Sequence, residues 1–120
     1  MKTELRIGNY LMSKGGESPA KVVAIADKYV SFNTFLGQMN VPYEDVEAIP
    51  LTGEMLEKCG FENVANLFEL NKMAIYMPGG NYKNGRLYYN SWFIIEPPLY
   101  LHQLQNIYYA LTGEELEINL

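Results

Sequence analysis

The sequence has little cysteine, no long apolar run and few basic residues. Its single cysteine, Cys59, has no second cysteine in the chain for a disulfide, which favours a reducing compartment. No apolar run approaches the roughly 18 residues that a membrane-spanning helix requires. The first residues also lack the apolar core of a signal peptide. We therefore expect a cytoplasmic protein that does not enter a membrane.

The scarcity of basic residues bears on nucleic-acid binding. Nine Lys and Arg stand against 14 Asp and Glu, which gives a formal net charge of −5. Binding to a phosphate backbone depends on clustered Lys and Arg, and the sequence has no such cluster. The charge therefore disfavours a nucleic-acid partner. Ten tyrosines and six methionines are the more distinctive feature, because both residue types suit protein interfaces.

Residues for catalysis or metal binding are equally scarce. One histidine, His102, and one cysteine cannot supply a zinc site, and no acidic pair belongs to a calcium-type loop. His102 has the titration range of a general base, but we expect it at the surface or boundary of the fold. Cys59 falls near the end of a short predicted helix, where a thiol pKa is not lowered, so we expect core packing. The sequence thus predicts a non-enzymatic protein with no metal and no cofactor.

In the first half of the chain, the spacing of apolar residues and turn residues is typical of a small all-β unit. Alternation predicts a first strand from residue 5 to 12, then a turn cluster at 13–19. Residues 21–26 and 29–35 predict a hairpin, and 38–41 and 46–49 add two strands with a helical turn between them. Five short strands with a turn before the fifth indicate an SH3-like barrel.

In the second half of the chain the spacing of the apolar residues changes, first to that of a helix. Thr52 is a suitable N-cap and Gly60 a suitable C-cap, which predicts a short helix between them. Strands are predicted at 67–70, 73–77 and 86–95, with a hairpin loop at 78–85, as a three-stranded antiparallel meander. Alternation along 86–95 divides its large side chains into two faces: Leu87, Tyr89, Phe93 and Ile95 against Tyr88, Trp92 and Ile94.

A C-terminal helix is predicted between the Pro97-Pro98 pair and Gly113. Its predicted core stripe has helical spacing: Leu101, Leu104, Tyr108 and Leu111. A second face carries His102, Gln105, Asn106 and Tyr109, and residues 100–112 contain no Lys or Glu. Solvent faces are usually charged, whereas interface cores are depleted of Lys and Glu. This second face is therefore open to two interpretations, an ordinary solvent face or a protein contact surface. The tail at 116–120 alternates and predicts a short edge strand or a frayed end.

Together these elements predict one α+β domain over residues 1–120, with possible lobes at 1–50 and 51–120. The order is a small SH3-like β-barrel unit of about five short strands, a short helix, a three-stranded antiparallel meander and a C-terminal helix packed on the sheet.

Three segments carry a resemblance to a known family: LRIGNY at residues 5–10, IPLT at 49–52 and LHQLQNIYYALTGEEL at 101–116. They resemble an uncharacterised family of short proteins from Bacteroidales gut bacteria, their prophages and other mobile elements. The resemblance implies a small cytoplasmic protein of phage or mobile-element origin. It implies no activity and no binding residues.

The function predicted from these observations is a small interaction or accessory module that binds a protein partner or a second copy of itself. The predicted contact residues are those of the uncharged helix face and two aromatic residues of the long strand: His102, Gln105, Asn106, Tyr109, Trp92 and Tyr88. The alternative is a nucleic-acid-associated accessory protein, which the SH3-like rhythm suggests and the net charge disfavours.

Overall fold

Two five-stranded antiparallel sheets account for most of the fold. The computed structural model describes residues 4–13, 19–34, 36–78, 85–98 and 100–119. The chain divides into two compact units, Met1–Ile49 and Pro50–Leu120, and each unit contains one of the sheets. The predicted α+β class is confirmed.

The first unit is a curled half-barrel with the strand order β4-β3-β2-β1-β5. Its strands are β1 (Tyr10–Ser13), β2 (Ala20–Ile25), β3 (Tyr29–Thr34), β4 (Gly37–Pro42) and β5 (Val46–Glu47), with a single 3-10 turn at Tyr43–Asp45 before β5. The alternation of apolar residues builds one core from Leu11, Val22, Val30, Phe32, Val41 and Val46. The predicted five strands and the turn before the fifth are therefore confirmed.

The predicted strand from residue 5 is wrong at its start. Residues before Tyr10 form a turn in which Gly8 takes a φ of 99°, and its N–H donates to the Val22 carbonyl at 2.8 Å. The buried Asn9 side chain accepts from the Arg6 N–H at 2.7 Å. An Asn side chain that bonds to nearby backbone favours turns over strands, and this local bond overrides the apolar alternation. The predicted turn residues 14–18 lie outside the described residues.

Helix α1 (Gly53–Lys58) is the first of the two α-helices described in the second unit, and it is capped as predicted. The Thr52 hydroxyl accepts from the Met55 N–H at 3.1 Å. At the other end Gly60 has a φ of 90°, and the N–H groups of Gly60 and Phe61 donate to the carbonyls of Glu57 and Leu56. These two bonds form a Schellman motif, which ends the helix.

We expect the substitution Gly53→Ala to destabilise the protein, although alanine is the better helix former. A Cβ atom at this position would lie 2.9 Å from Cζ of the buried Phe68 ring. Overpacking of this kind costs about 1–3 kcal/mol, which exceeds the gain of up to about 1 kcal/mol in helix propensity. Urea denaturation measures the difference. In a Phe68→Leu background the same change is expected to cost nothing, and an equal cost in both backgrounds would contradict the clash.

The second sheet is a meander with the order β10-β9-β8-β7-β6. Its strands are β6 (Glu62–Val64), β7 (Leu67–Leu70), β8 (Met73–Tyr76), β9 (Arg86–Tyr89) and β10 (Trp92–Ile95). The prediction of three strands is therefore wrong, because β6 was missed and the supposed long strand 86–95 is a hairpin. Two turns with positive φ at both central residues, Ala65-Asn66 and Asn90-Ser91, make the additional hairpins. Residues 79–84 of the predicted hairpin loop lie outside the described residues.

Helix α2 (Leu101–Thr112) ends at Gly113, as predicted, with Gly113 in a left-handed conformation at a φ of 76°. It lies against the sheet, since Asn71 Nδ2 donates to the Tyr108 hydroxyl at 2.9 Å. Its buried residues are Leu101, His102, Leu104, Gln105 and Tyr108. Leu111, which was predicted for the core stripe, is only half-buried. Among the described residues, neither helix is long and apolar enough to cross a bilayer.

The chain after α2 is anchored without forming a strand over residues 115–119. Leu116 is buried, and the Asn119 N–H donates at 2.7 Å to the carbonyl of Lys58, the last residue of α1. The predicted alternatives of an edge strand or a frayed end are therefore wrong for these residues, because one apolar side chain and one backbone bond hold the segment.

Candidate interaction site

Within the described part of the second unit, the β9–β10 hairpin contains the longest run of exposed apolar residues. Asn90 and Ser91 both have positive φ, at 53° and 68°, which is the type I′ geometry that matches the twist of paired strands. The Asn90 N–H also donates to the Lys72 carbonyl at 2.9 Å. This hydrogen bond joins the hairpin turn to the neighbouring β7–β8 turn. In the strand order of the sheet, β10 is the last strand.

All four side chains of β10 are large, apolar and exposed to solvent. Trp92 is 76% exposed, Phe93 55%, Ile94 44% and Ile95 50%. Isolated apolar residues on a surface are ordinary, but a contiguous run on an edge strand marks an interaction site or an aggregation hazard. The strand also contains no charged residue.

Contacts with β9 hold the exposed side chains in place. The Phe93 and Tyr88 rings meet edge to face, with centroids 6.1 Å apart and planes at 67°. The Arg86 guanidinium lies 5.9 Å from the centroid of the Phe93 ring. Both geometries are favourable for a π-system. Phe93 therefore contacts two side chains of β9 while more than half of its own surface faces solvent.

A shallow groove of about 510 Å³ lies beside this hairpin. Its floor and walls come from strands β7, β8 and β9 and from the two bonded turns: Leu67, Glu69, Asn71, Lys72, Met73, Ala74, Tyr88, Asn90 and Ser91. Glu69 and Lys72 give it one acidic and one basic side chain. It therefore lacks the concentrated charge that a phosphate or metal ligand requires.

Edge strands end both sheets, and the other three described edges differ from β10. β5 has two residues, including Glu47, and β6 has three, including Glu62. β4 has polar side chains at Gln38 and Asn40 and ends at Pro42. Short length, charge and proline all discourage pairing with another chain. Among the described edge strands, β10 is the one with four exposed apolar side chains and no charged residue or proline.

The six predicted contact residues fall into separate places. Trp92 is strongly exposed and pairs with Tyr89, whereas Tyr88 pairs with Phe93. Directly paired residues share a face of a sheet, so the prediction that Tyr88 and Trp92 share one is wrong. A bulge between Phe93 and Ile95 also removes the simple alternation that was predicted along the strand.

The predicted helix face is divided between core and surface. Tyr109 is 44% exposed and Asn106 is half-buried, but His102 and Gln105 are buried. The His102 ring stacks on Tyr100, with centroids 6.1 Å apart and planes at 15°. The expectation of a surface or boundary position for His102 is wrong. Of these four residues, only Asn106 and Tyr109 are accessible to solvent.

Sequence reasoning missed Phe93, Ile94 and Ile95 as candidate contact residues. The available signal was Asn90-Ser91, a polar pair between two apolar runs, which is typical of a two-residue hairpin turn. Placing a turn there would have made residues 92–95 a terminal strand that ends just before Pro97.

The two residues considered for catalysis are both inside the fold. Burial raises the pKa of the Cys59 thiol from its ordinary value of 9.0 to about 12, so the nucleophilic thiolate is disfavoured. His102 is fully buried. Within the described ranges, no group of three or more His, Cys, Asp and Glu residues is arranged to hold a metal ion.

Comparison with known proteins found no match to a family model, to a curated protein or to a solved structure.

Proposed function

We propose that the chain is a non-enzymatic interaction module that binds an extended protein segment along the free edge of β10. The observation that carries this proposal is the exposure of all four apolar side chains of an uncharged edge strand. An added strand would bond to the outer backbone groups of β10 and cover its side chains, a common mode of peptide recognition. We propose further that the protein acts in the cytoplasm and is of phage or mobile-element origin, as its resemblance implies.

The location of Cys59 and His102 supports a non-enzymatic role. Both side chains are buried, so neither presents a reactive atom to a substrate in solution. The exposed side chains of β10 itself are aromatic and aliphatic, which favours contact over chemistry. The site consists of Trp92, Phe93, Ile94 and Ile95, with Tyr88 as the ring that supports Phe93.

A second proposal concerns the first unit, which we assign to the SH3-like barrels. Its strand order β4-β3-β2-β1-β5 and the 3-10 turn at Tyr43–Asp45 support this assignment. Such barrels also occur in nucleic-acid-associated proteins, so a nucleic-acid accessory role is the second candidate function. The charge opposes it, since residues 1–49 contain five Lys and Arg and six Asp and Glu. A fluorescence titration with single- and double-stranded DNA at low salt decides between the two, and saturable binding would favour the second candidate.

The single tryptophan makes the strand-addition proposal directly testable. Peptides selected for binding from a library of extended apolar heptapeptides would be titrated against the protein while Trp92 emission is recorded. We expect a shift to shorter wavelength, because an added strand takes the indole out of water. Peptides that bind without moving the Trp92 emission would contradict the proposed site.

Two lysine substitutions provide the matched comparison. Ile95→Lys places a charge on the proposed edge, whereas Val64→Lys places one on β6, where Val64 is also exposed. We expect the first to weaken peptide binding by about 10-fold or more and the second to leave it unchanged. Equal effects of the two substitutions would contradict a site at β10.

A further inference from the structure

We propose that the groove beside the two bonded turns of the second sheet is a separate binding site, and that its ligand is a small neutral saccharide. None of the residues that line the groove belongs to β10, so the site is distinct from the strand edge to which the proposed function applies. The position of the groove, the hydrogen bonds of its rim and the kinds of side chain that line it support this assignment.

The groove lies on the open face of the second sheet. One row of paired residues on the other face is buried: Phe68, Ile75 and Leu87. The neighbouring row consists of Glu69, Ala74 and Tyr88, which point the opposite way because side chains alternate along each strand. Glu69 is exposed, and Ala74 and Tyr88 are half-buried. All three line the groove, so a ligand enters it directly from solvent.

Ala74 creates the space of the groove. It stands between Glu69 and Tyr88 in register, so a single methyl group separates a carboxylate side chain on one strand from an aromatic ring on another. A larger residue at this position would fill that space. The groove has a volume of about 510 Å³, within the range of roughly 300–1,000 Å³ that is typical of small-molecule sites. It therefore has room for a mono- or disaccharide.

The rim of the groove is formed by two turns that are held by hydrogen bonds. Asn71 Nδ2 donates to the Tyr108 hydroxyl of α2 at 2.9 Å, and the Asn90 N–H donates to the Lys72 carbonyl at 2.9 Å. The β7–β8 turn is therefore bonded both to the helix and to the β9–β10 turn. A rim that is ordered before the ligand arrives lowers the entropy cost of binding.

The side chains of the groove match the hydrogen-bonding pattern of hydroxyl groups. The Glu69 carboxylate only accepts, and the Lys72 ammonium only donates. The other polar side chains that line the groove do both: Asn71, Asn90 and Ser91. Each hydroxyl of a sugar likewise donates and accepts, so one polyol can pair with all of these groups. The Tyr88 ring adds an aromatic surface against which the C–H face of a sugar ring packs.

The charges of the groove distinguish between classes of ligand. Glu69 and Lys72 carry opposite charges and leave the lining without net charge, which favours a neutral ligand over an anion or a cation. A zwitterion such as a dipeptide would also match one acidic and one basic group. It would pair with Glu69 and Lys72 but leave the amide and hydroxyl side chains of the rim without a ligand group, whereas a saccharide engages both sets.

Saturation-transfer difference NMR of the full chain tests the ligand class. The probes are lactose, cellobiose, maltose and N,N′-diacetylchitobiose, with glycylglycine as the zwitterion. We expect at least one disaccharide to receive saturation with a dissociation constant of about 0.1–10 mM, because a shallow groove covers only part of its ligand. Absence of transfer to every disaccharide at about 20 mM overturns the proposal, and so does transfer to glycylglycine alone.

Two leucine substitutions test whether the sugar lies in the groove. Ala74→Leu fills the space between Glu69 and Tyr88, whereas Val64→Leu changes an exposed residue of β6 that does not line the groove. We expect the first to weaken binding of the sugar by about 10-fold or more and the second to leave it unchanged. Circular dichroism checks that both variants are folded. Equal sugar binding by the natural chain and by folded Ala74→Leu overturns the site.

Lys72→Ala supplies a test that does not depend on how the sheet accepts a leucine. It removes one donor from an exposed side chain of the rim, and we expect it to weaken sugar binding by about 3-fold or more. Unchanged binding would overturn the assigned site. Trp92 emission reports peptide binding at β10 and is expected to respond equally in the natural chain and in Ala74→Leu. Failure of the saccharide site therefore leaves the proposed function standing.

Discussion

Replacing Gln105 by lysine is expected to destabilise the protein strongly, whereas replacing Tyr109 by lysine is expected to change its stability little. The two residues lie one turn apart on α2, but Gln105 is 1% exposed and Tyr109 is 44% exposed. An ammonium group at position 105 would lose its hydration without a designed partner, at a cost of about 3 kcal/mol or more. The same group at position 109 remains in water, so the expected cost is within about 1 kcal/mol.

Urea denaturation followed by circular dichroism measures both effects. A third variant, Gln105→Leu, keeps the approximate volume of the side chain without adding charge, and we expect its loss of stability to lie between the other two. If Gln105→Lys proves as stable as Tyr109→Lys, then Gln105 faces solvent and the orientation of α2 described above is wrong.

Gln105 and Tyr109 belong to the face of α2 for which sequence periodicity predicted burial least accurately. The spacing of Leu101, Leu104 and Tyr108 correctly predicted three buried residues. Periodicity gives the centre of an apolar stripe but not the width of the buried face, and polar residues beside the stripe were assigned to the surface. The buried face extends toward His102 and Gln105 and away from Leu111. Which residues of the helix are buried depends on the rest of the fold, and the sequence of the helix alone does not contain that information.

Local backbone signals were the most successful predictors of the fold. Thr52, Gly60 and Gly113 marked helix ends correctly because each acts through bonds or dihedral angles within a few residues. The hairpin of β2 and β3 was predicted for a similar reason, since its strands alternate and are adjacent in the chain.

The failures occur where one local signal opposed another. At residues 5–9 the apolar alternation competed with a turn formed by Gly8 and Asn9, and the turn prevails in the structure. At Asn90-Ser91 the apolar residues on both sides concealed a two-residue turn. That second failure is also why the candidate site was only partly predicted, because an unbroken strand has no terminal segment 92–95 to form an edge.

The buried thiol is expected to make the protein lose stability at alkaline pH in a way that Cys59→Ala abolishes. Burial raises the pKa of Cys59 from 9.0 to about 12. Below pH 9.0 the thiol is protonated in both the folded and the unfolded chain, so its contribution to stability is fully present. Between pH 9.0 and about 12 only the unfolded chain loses this proton, so the free energy of unfolding falls by about 1.4 kcal/mol per pH unit.

The measurement is a series of urea denaturation curves for the natural chain and for Cys59→Ala between pH 8 and pH 10.5. Tyrosines and lysines titrate in the same range, but both proteins contain them, so the difference between the two stabilities isolates the thiol. Because the alanine lacks the titrating group, we expect this difference to change by about 2 kcal/mol over the series, with the natural chain losing more. The same burial predicts slow reaction of the folded chain with a thiol reagent at pH 8 and fast reaction in urea. Parallel stability curves together with fast labelling of the folded chain would show that Cys59 reaches solvent, and the packing of α1 against the sheet would then be wrong.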